Sequence, residues 1–344
     1  MRPEQIGENS YFAYLPELEP VWGVLSLLSG EQTHDLCTRL WGAERVNGWK
    51  RKYCFLFETY GAVARCASVN MMDFLLELPL ERMDVASLRR TVEETPVADF
   101  LWRCLQLDYV PDADRQMLER ALQEDAALET AYGWMGECSF LAFSAFVRQS
   151  RRYIAEFFAL AAELWTRELR ERLEQLAPRV ELFRQEMAEG VGAHGAFEFS
   201  QRRMGKTFRN RGPYGTFVFL PTLLMPYRAC RYFDLERAEK RQMLFLSLRD
   251  YGHSREDTLR SLRAAADPTR YQILTLLAAE GPKRGLDLAK QLSLAASTVS
   301  HHMEQLKEGG LITEEQVKNS KYYGLNRQAA AELLQELQRD LGIE

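Results

Sequence analysis

The sequence predicts a mostly α protein, in which a large helical N-terminal region with a small β-sheet precedes a smaller C-terminal domain of helices and a hairpin. Apolar residues recur at helical spacing over most of residues 11–189. The period changes to that of strands near residues 197–249, and a polar-faced helix ends at Gly309-Gly310. We therefore expect two domains, residues 1–250 and residues 256–344.

The N-terminal region is predicted to be a run of medium-length helices followed by strands. The helices are expected at residues 22–28, 31–40, 86–94, 97–107 and 112–122. A long helix over 150–177 should break at Pro178 and continue to Glu189, and residues 190–195 should form a loop. Strands are expected at 214–221 and 242–248, with 227–232 as a third, edge strand.

The C-terminal domain should open with two helices and a short third one. Residues 258–266 carry apolar positions at helical spacing. Asp267-Pro268 then provides an N-cap and a proline at the first helical position, and Gly281-Pro282 ends the helix that follows. A short helix over 286–292 leads through the turn 293–296 into the next helix.

Residues 295–308 have the pattern of a recognition helix. Val299, Met303 and Leu306 form one apolar stripe along it. Short polar side chains near a helix N-terminus can reach base edges in the major groove. The residues expected to face outward for this purpose are Ser297, Thr298, Ser300, His301 and Gln305. The order and lengths of these helices predict a helix-turn-helix.

Two strands, 311–316 and 321–325, are predicted to follow, joined by the turn 317–320. A hairpin directly after a recognition helix makes the domain a winged helix-turn-helix, with Lys318 and Lys321 expected on DNA phosphates and Tyr322 near the sugar-phosphate edge. The last helix, 327–341, has an apolar stripe that we expect to mediate dimerisation. The stripe consists of Leu333, Leu334, Leu337 and Leu341.

Residues 262–277 and 297–303, with Gly310-Leu-Ile, resemble the signatures of ArsR-type winged helix-turn-helix transcriptional regulators over residues 258–342. The resemblance implies a homodimer that binds a palindromic operator in double-stranded DNA and responds to a signal. Arg270 would be a phosphate or scaffold contact, and His302 a half-buried histidine. The sequence places residues 1–250 in no family.

The resemblance is incomplete where metal-sensing members of the family bind metal. Arg284 and Leu286 stand where those members have a Cys-x-Cys pair, and no histidine follows His302. Adjacent helical residues such as His301 and His302 also point about 100° apart, which disfavours a shared zinc ion. We therefore expect no metal and no cofactor. Sensing is assigned to a small-molecule or protein effector at the N-terminal region.

Composition is consistent with a cytoplasmic protein. The six cysteines have no C-x-x-C spacing and are expected to be reduced, and the apolar stretch 217–225 is too short to span a membrane. Net charge is −5, and from Arg255 onward 12 Lys and Arg stand against 13 Asp and Glu. DNA binding would therefore depend on local placement of charge.

The functional prediction is a DNA-binding transcriptional regulator, a homodimeric repressor modulated through its N-terminal region, without catalytic residues. Two alternatives remain open: an enzyme fused to a winged helix, and a ligand-free architectural DNA binder. A winged helix can also act as a protein-interaction module. The stretch 202–211 holds five cations and no acid. It is either a solvated loop, an anion site or a second contact to DNA flanking the operator.

Overall fold

The computed structural model describes residues 3–29, 34–63, 71–110, 112–135, 138–205, 207–227, 229–248, 255–317 and 320–342. The chain divides into two compact units. The first comprises residues 1–192 and 212–248, and the second residues 193–211 and 249–344. The second unit thus includes a segment, 193–211, that lies inside the predicted N-terminal region. Among the described residues, no helix is long and apolar enough to cross a membrane.

The first unit is mainly helical, as predicted. Its α-helices are α1 (Glu19–Ser29), α2 (His34–Trp41), α3 (Ala43–Lys52), α4 (Cys54–Val63), α5 (Val85–Glu94), α6 (Val97–Cys104), α7 (Arg115–Ala121), α8 (Asp125–Tyr132), α9 (Phe140–Arg148), α10 (Ser150–Leu164), α11 (Arg167–Gln175) and α12 (Ala177–His194). Short 3-10 helices lie at Pro16–Leu18, Met72–Glu77, Leu80–Arg82 and Leu107–Tyr109.

Among the described residues, the sheet of the first unit has five strands rather than the three that were expected. They are β1 (Glu4–Gly7), β2 (Ser10–Phe12), β3 (Thr216–Thr222), β4 (Ala229–Phe233) and β5 (Arg241–Ser247), in the order β1-β2-β3-β5-β4. The predicted edge strand is confirmed as β4, which pairs antiparallel with β5. The two additional strands come from the N-terminus, where β2 pairs parallel with β3.

A buried glutamate joins the first helix to the sheet. Glu19, in the first turn of α1, is 1% exposed. Its carboxylate accepts hydrogen bonds from the backbone N–H groups of Leu223 and Leu224, at 2.7 and 2.8 Å. The hydroxyl of Thr222 donates to the same carboxylate at 3.1 Å. These three donors stabilise a buried charge that would otherwise be costly.

The long helix predicted over 150–189 differs from the structure. The chain breaks first at Trp165, which was not predicted, because the Thr166 hydroxyl accepts a hydrogen bond from the Leu169 N–H and starts α11. It breaks again at Leu176, close to the predicted break at Pro178. Pro178 lies in the first turn of α12, where its missing N–H costs nothing. The predicted loop at 190–195 is also wrong over 190–194, because α12 continues to His194.

The second unit has the predicted winged helix-turn-helix elements. They are α14 (Arg255–Ala265), α15 (Pro268–Glu280), β6 (Lys283–Arg284), α16 (Gly285–Leu292), α17 (Ala296–Glu308), β7 (Ile312–Val317), β8 (Ser320–Leu325) and α18 (Arg327–Leu341). The unit also contains α13 (Ala196–Met204), a helix that was not predicted, in a stretch where strand periodicity was expected. The strand β6 was not predicted; it adds a third strand in the order β6-β8-β7.

One apolar core holds these helices together, and it fixes the position of α17. The buried members of the core are Ala264, Ile273, Leu277, Leu288, Ala289, Val299, Met303, Leu306, Leu311, Ile312 and Leu333. At the end of α17, Gly309 packs closely on α14, since an added Cβ would lie 2.5 Å from the Cβ of Ala264. The Ser261 hydroxyl donates to the Gly309 carbonyl at 2.8 Å.

Candidate DNA interface

The helix α17 has one buried and one exposed face. Val299, Met303 and Leu306 are at most 1% exposed, so this stripe anchors the helix in the domain core. Four polar residues predicted to face outward are exposed, namely Ser297, Thr298, Ser300 and His301. They occupy the first two turns of the helix. The hydroxyl groups and the imidazole can donate and accept hydrogen bonds, which is the chemistry needed to contact base edges and phosphates.

The fifth predicted residue of the helix, Gln305, is engaged within the domain. Its side-chain oxygen accepts a hydrogen bond from the guanidinium of Arg270, which also donates to the carbonyls of Ala264 at 2.6 Å and Arg263 at 2.9 Å. Arg270 therefore links α14, α15 and α17. Of the two roles considered for Arg270, this geometry favours the scaffold role over the phosphate contact.

The hairpin of β7 and β8 forms the wing. Its predicted DNA contacts Lys321 and Tyr322 lie on opposite faces of the hairpin, because the side chains of adjacent strand residues point in opposite directions. Lys321 lies diagonally across from Glu314, and the Nζ–Oε1 distance is 3.0 Å. Lys307 of α17 approaches the same carboxylate at 3.2 Å. Burial raises the pKa of Glu314, but the two ammonium groups outweigh this and hold the pKa below its usual range. Much of the Lys321 charge is therefore neutralised within the domain.

Tyr322 lies on the other face of the hairpin, opposite Arg284 of β6 and Glu315 of β7. Its ring is covered by a cation from outside the winged helix. The guanidinium carbon of Arg209 is 3.9 Å from the ring centroid. The remaining predicted wing contact, Lys318, lies outside the described residues.

His302 is half-buried, as the resemblance implied. Its Nδ1 is 3.8 Å from Oδ1 of Asp267, which is too long for a hydrogen bond. Asp267 instead accepts a 2.9 Å hydrogen bond from the Arg270 N–H and caps α15. This backbone hydrogen bond, aided by the charge of Arg270, lowers the pKa of Asp267.

The prediction that all four leucines of the α18 stripe face a partner chain is wrong, because two of them pack within their own domain. Leu333 is 6% exposed and belongs to the core of its own domain, and Leu337 packs against that core. Leu334 and Leu341 are 63% and 67% exposed. Only these two are available to a partner chain.

No group of three or more His, Cys, Asp or Glu side chains that could hold a metal ion occurs among the described residues. The rings of His301 and His302 are 6.3 Å apart between centroids. Arg284, at one of the positions where metal-sensing relatives have a cysteine, forms a bidentate ion pair with Asp287 at 2.9 and 3.0 Å.

Known proteins are similar to this chain over its helix-turn-helix domain. A family described as a helix-turn-helix domain matches residues 265–315. The transcriptional repressor SdpR of Bacillus subtilis (strain 168) is 34% identical over 64 residues, which are 19% of this chain and 70% of that repressor. This chain belongs to the ArsR-type helix-turn-helix transcriptional regulators. It is therefore a DNA-binding regulator that carries its helix-turn-helix domain at the C-terminus.

The solved structure of a possible transcriptional regulator for arsenical resistance is also similar to this chain. The identity is 32%, and the match covers 25% of this chain and 86% of that one, with a TM-score of 0.23.

Two features of the interface were missed by the sequence analysis. The first is the pairing of Glu314 with Lys307 and Lys321, which the alternation of the hairpin could have indicated. The second is the contact of Arg209 with Tyr322, which joins residues far apart in the chain. The only local signal for it was the charge of the stretch 202–211.

Proposed function

We propose that this regulator is a cytoplasmic homodimeric repressor that binds a palindromic operator through α17, and that residues 1–250 modulate this binding. The observation that carries the proposal is the division of α17 into a buried stripe and an exposed polar face. Residues 256–344 would form the DNA-binding domain. The B. subtilis relative is a transcriptional repressor, which supports repression rather than activation.

The exposed face of α17 suits base recognition in the major groove. Ser300 and His301 lie in the middle of the exposed surface, one turn from the helix start. Each can form hydrogen bonds with base edges. Ser297 and Thr298 lie closer to the helix N-terminus, where phosphate contacts are common.

Dimerisation is supported by the exposed leucines of α18. A two-fold axis through this helix would bring Leu334 and Leu341 against their own copies. Two recognition helices must lie about 34 Å apart to enter successive major grooves. An effector that changes this spacing would shift the population between DNA-competent and incompetent dimers.

Modulation through the N-terminal region is supported by buried polar atoms there. The hydroxyl of Tyr14 and the Nε2 of Gln242 are buried and have no hydrogen-bond partner among the described residues. A buried polar group without a partner is costly, and binding a polar ligand would remove that cost. Burial, together with the charge of Glu19, also raises the pKa of Tyr14 well above its usual value, so this hydroxyl is protonated and able to donate.

The test is the double variant Ser300→Ala/His301→Ala. We expect it to lose discrimination between operator and unrelated DNA and to keep its thermal stability, because both side chains are exposed. The matched control is Gln272→Ala/Thr275→Ala, which removes two exposed polar side chains from α15. Gel-shift titrations on an operator selected from genomic fragments measure the effect. Undiminished operator discrimination in a natively folded Ser300→Ala/His301→Ala protein would reject the proposal.

A further inference from the structure

A short basic segment outside the winged helix is fixed against it. We call residues 205–211, which follow α13, the basic arm. Gly205 has a φ of 65°, and a Cβ added there would lie 2.8 Å from Oδ1 of Asn326. Asn326 is itself immobilised, because its Oδ1 accepts from the Ala329 N–H at 3.2 Å and its Nδ2 donates to the Gly310 carbonyl at 3.0 Å. The basic arm thus starts at the rigid N-terminus of α18.

The middle of the basic arm has an apolar anchor. Phe208 is 1% exposed, and its ring meets that of Phe197 of α13 edge to face, with centroids 6.0 Å apart. The Phe208 N–H donates to the side-chain oxygen of Gln201 at 2.7 Å. A side chain in a solvated loop would not be buried in this way, so Phe208 is an ordered part of the second unit.

Arg209 directly follows Phe208, and its guanidinium lies against the wing. Its guanidinium stacks on Tyr322, and the residue remains exposed. Within the described part of the chain, no carboxylate pairs with it. Stacking on a ring leaves the N–H groups at the edge of the guanidinium available to an anion such as a phosphate.

The direction of the basic arm also indicates where its cations lie. Gly205 contacts Asn326, which directly follows β8, whereas Arg209 contacts Tyr322 near the start of β8. The described residues of the basic arm therefore lie along β8, from its end toward its start. The start of β8 holds Lys321, which is predicted to meet the DNA backbone.

We propose that Arg209, with Arg211 beside it, binds phosphates of DNA next to the wing, so that the basic arm extends the DNA interface beyond the winged helix. The charge balance favours this partner. The chain from Arg255 onward has one more acid than base, whereas the basic arm has three cations and no acid. The inference rests on the proposed DNA-binding function, and it assigns to residues upstream of the winged helix a share of the affinity.

The experiment measures the salt dependence of DNA binding by the full chain and three variants, on an unrelated duplex as well as on the operator. Arg209→Ala should weaken binding to both duplexes equally, on the order of fivefold, and should lower the slope of log K against log salt by about one per bound protomer. Arg209→Lys keeps the charge and should retain the slope. Arg202→Ala is the matched control, because Arg202 is ion-paired to Glu198 at 2.7 Å.

An unchanged slope for Arg209→Ala would overturn the inference. So would equal defects in Arg209→Ala and Arg209→Lys with a lowered melting temperature, since Arg209 would then only support Tyr322. Binding to the unrelated duplex distinguishes failure of this inference from failure of the proposed function. Loss of discrimination in Ser300→Ala/His301→Ala tests base recognition alone, and the slope on unrelated DNA tests the basic arm alone.

Discussion

At the scale of single residues, Glu314 controls how much positive charge the wing offers to DNA. Its carboxylate lies between the ammonium groups of Lys307 and Lys321, at 3.2 and 3.0 Å. Because these lysines keep its pKa below the usual range, Glu314 is ionised at neutral pH. Each lysine is therefore partly neutralised before it meets a phosphate.

We predict that Glu314→Gln strengthens binding to any duplex and makes its salt dependence steeper. The substitution preserves the shape of the side chain and releases Lys307 and Lys321 to bind phosphates. Salt-dependent gel shifts provide the measurement. The matched control is Glu315→Gln, which removes the same charge from the other face of the hairpin. If both variants bind DNA equally more tightly, net charge rather than release of the two lysines explains the gain.

At the scale of secondary-structure elements, the helix-turn-helix depends on how α15 begins. The Asp267 carboxylate caps α15 through the Arg270 N–H. Through its side chain, Arg270 then contacts both α14 and α17. The cap thus places the residue that links three helices.

We predict that Asp267→Ala destabilises α15 by about 1 kcal/mol at pH 7, the usual cost of losing such a cap. The folded-state pKa of Asp267 is lowered, so the stabilisation by its charge is present above the unfolded pKa of about 3.9. It is lost as the pH falls through the folded-state pKa. Amide hydrogen exchange over residues 268–280 reports the change, because all six tryptophans precede this unit.

Asp267→Asn is the control, because asparagine also caps helices but cannot ionise. At pH 7, the amide hydrogens of α15 in this variant should exchange nearly as slowly as in the wild type. Because asparagine does not titrate, acid should cause no faster exchange through ionisation at this position. Wild-type exchange rates in Asp267→Ala would show that the cap is dispensable.

At the scale of the whole molecule, the fold leaves two large apolar side chains of α18 exposed. Leu334 and Leu341 face outward, while Leu333 of the same predicted stripe is needed by the core. Burying a leucine fully contributes roughly 1.5–3 kcal/mol, and a two-fold interface counts each residue twice. This surface is the site at which we expect dimerisation.

We predict that Leu334→Glu/Leu341→Glu yields folded monomers with weakened operator binding, because like charges would face each other across the two-fold axis. Sedimentation velocity and gel shifts measure the two effects. Gln338→Glu adds a charge at an exposed position of the same helix and should remain dimeric. An undisturbed dimer in the double variant would locate the dimer contact elsewhere in the chain.

The amino-acid sequence was sufficient to predict the order and type of the elements of the C-terminal domain, apart from β6. Its helix starts and stops follow from local chemistry, such as the cap at Asp267 and the turn at Gly281. The stripe of α17 and the hairpin after it follow from periodicity over a few residues. Such signals act between near neighbours in the chain, and they remained valid in the structure.

The tertiary structure decided whatever depends on residues far apart in the sequence. Pairing with β3 recruits the short strand β2, which had no strong local signal of its own. Leu333 belongs to the predicted amphipathic stripe of α18 but is buried in the core of its own domain. Arg209 belongs to a basic stretch far from the hairpin in sequence, but it packs on Tyr322 of the wing. Local periodicity shows that a side chain is apolar or charged, but only the packed fold selects its partner, because burial and pairing energies depend on distance in space.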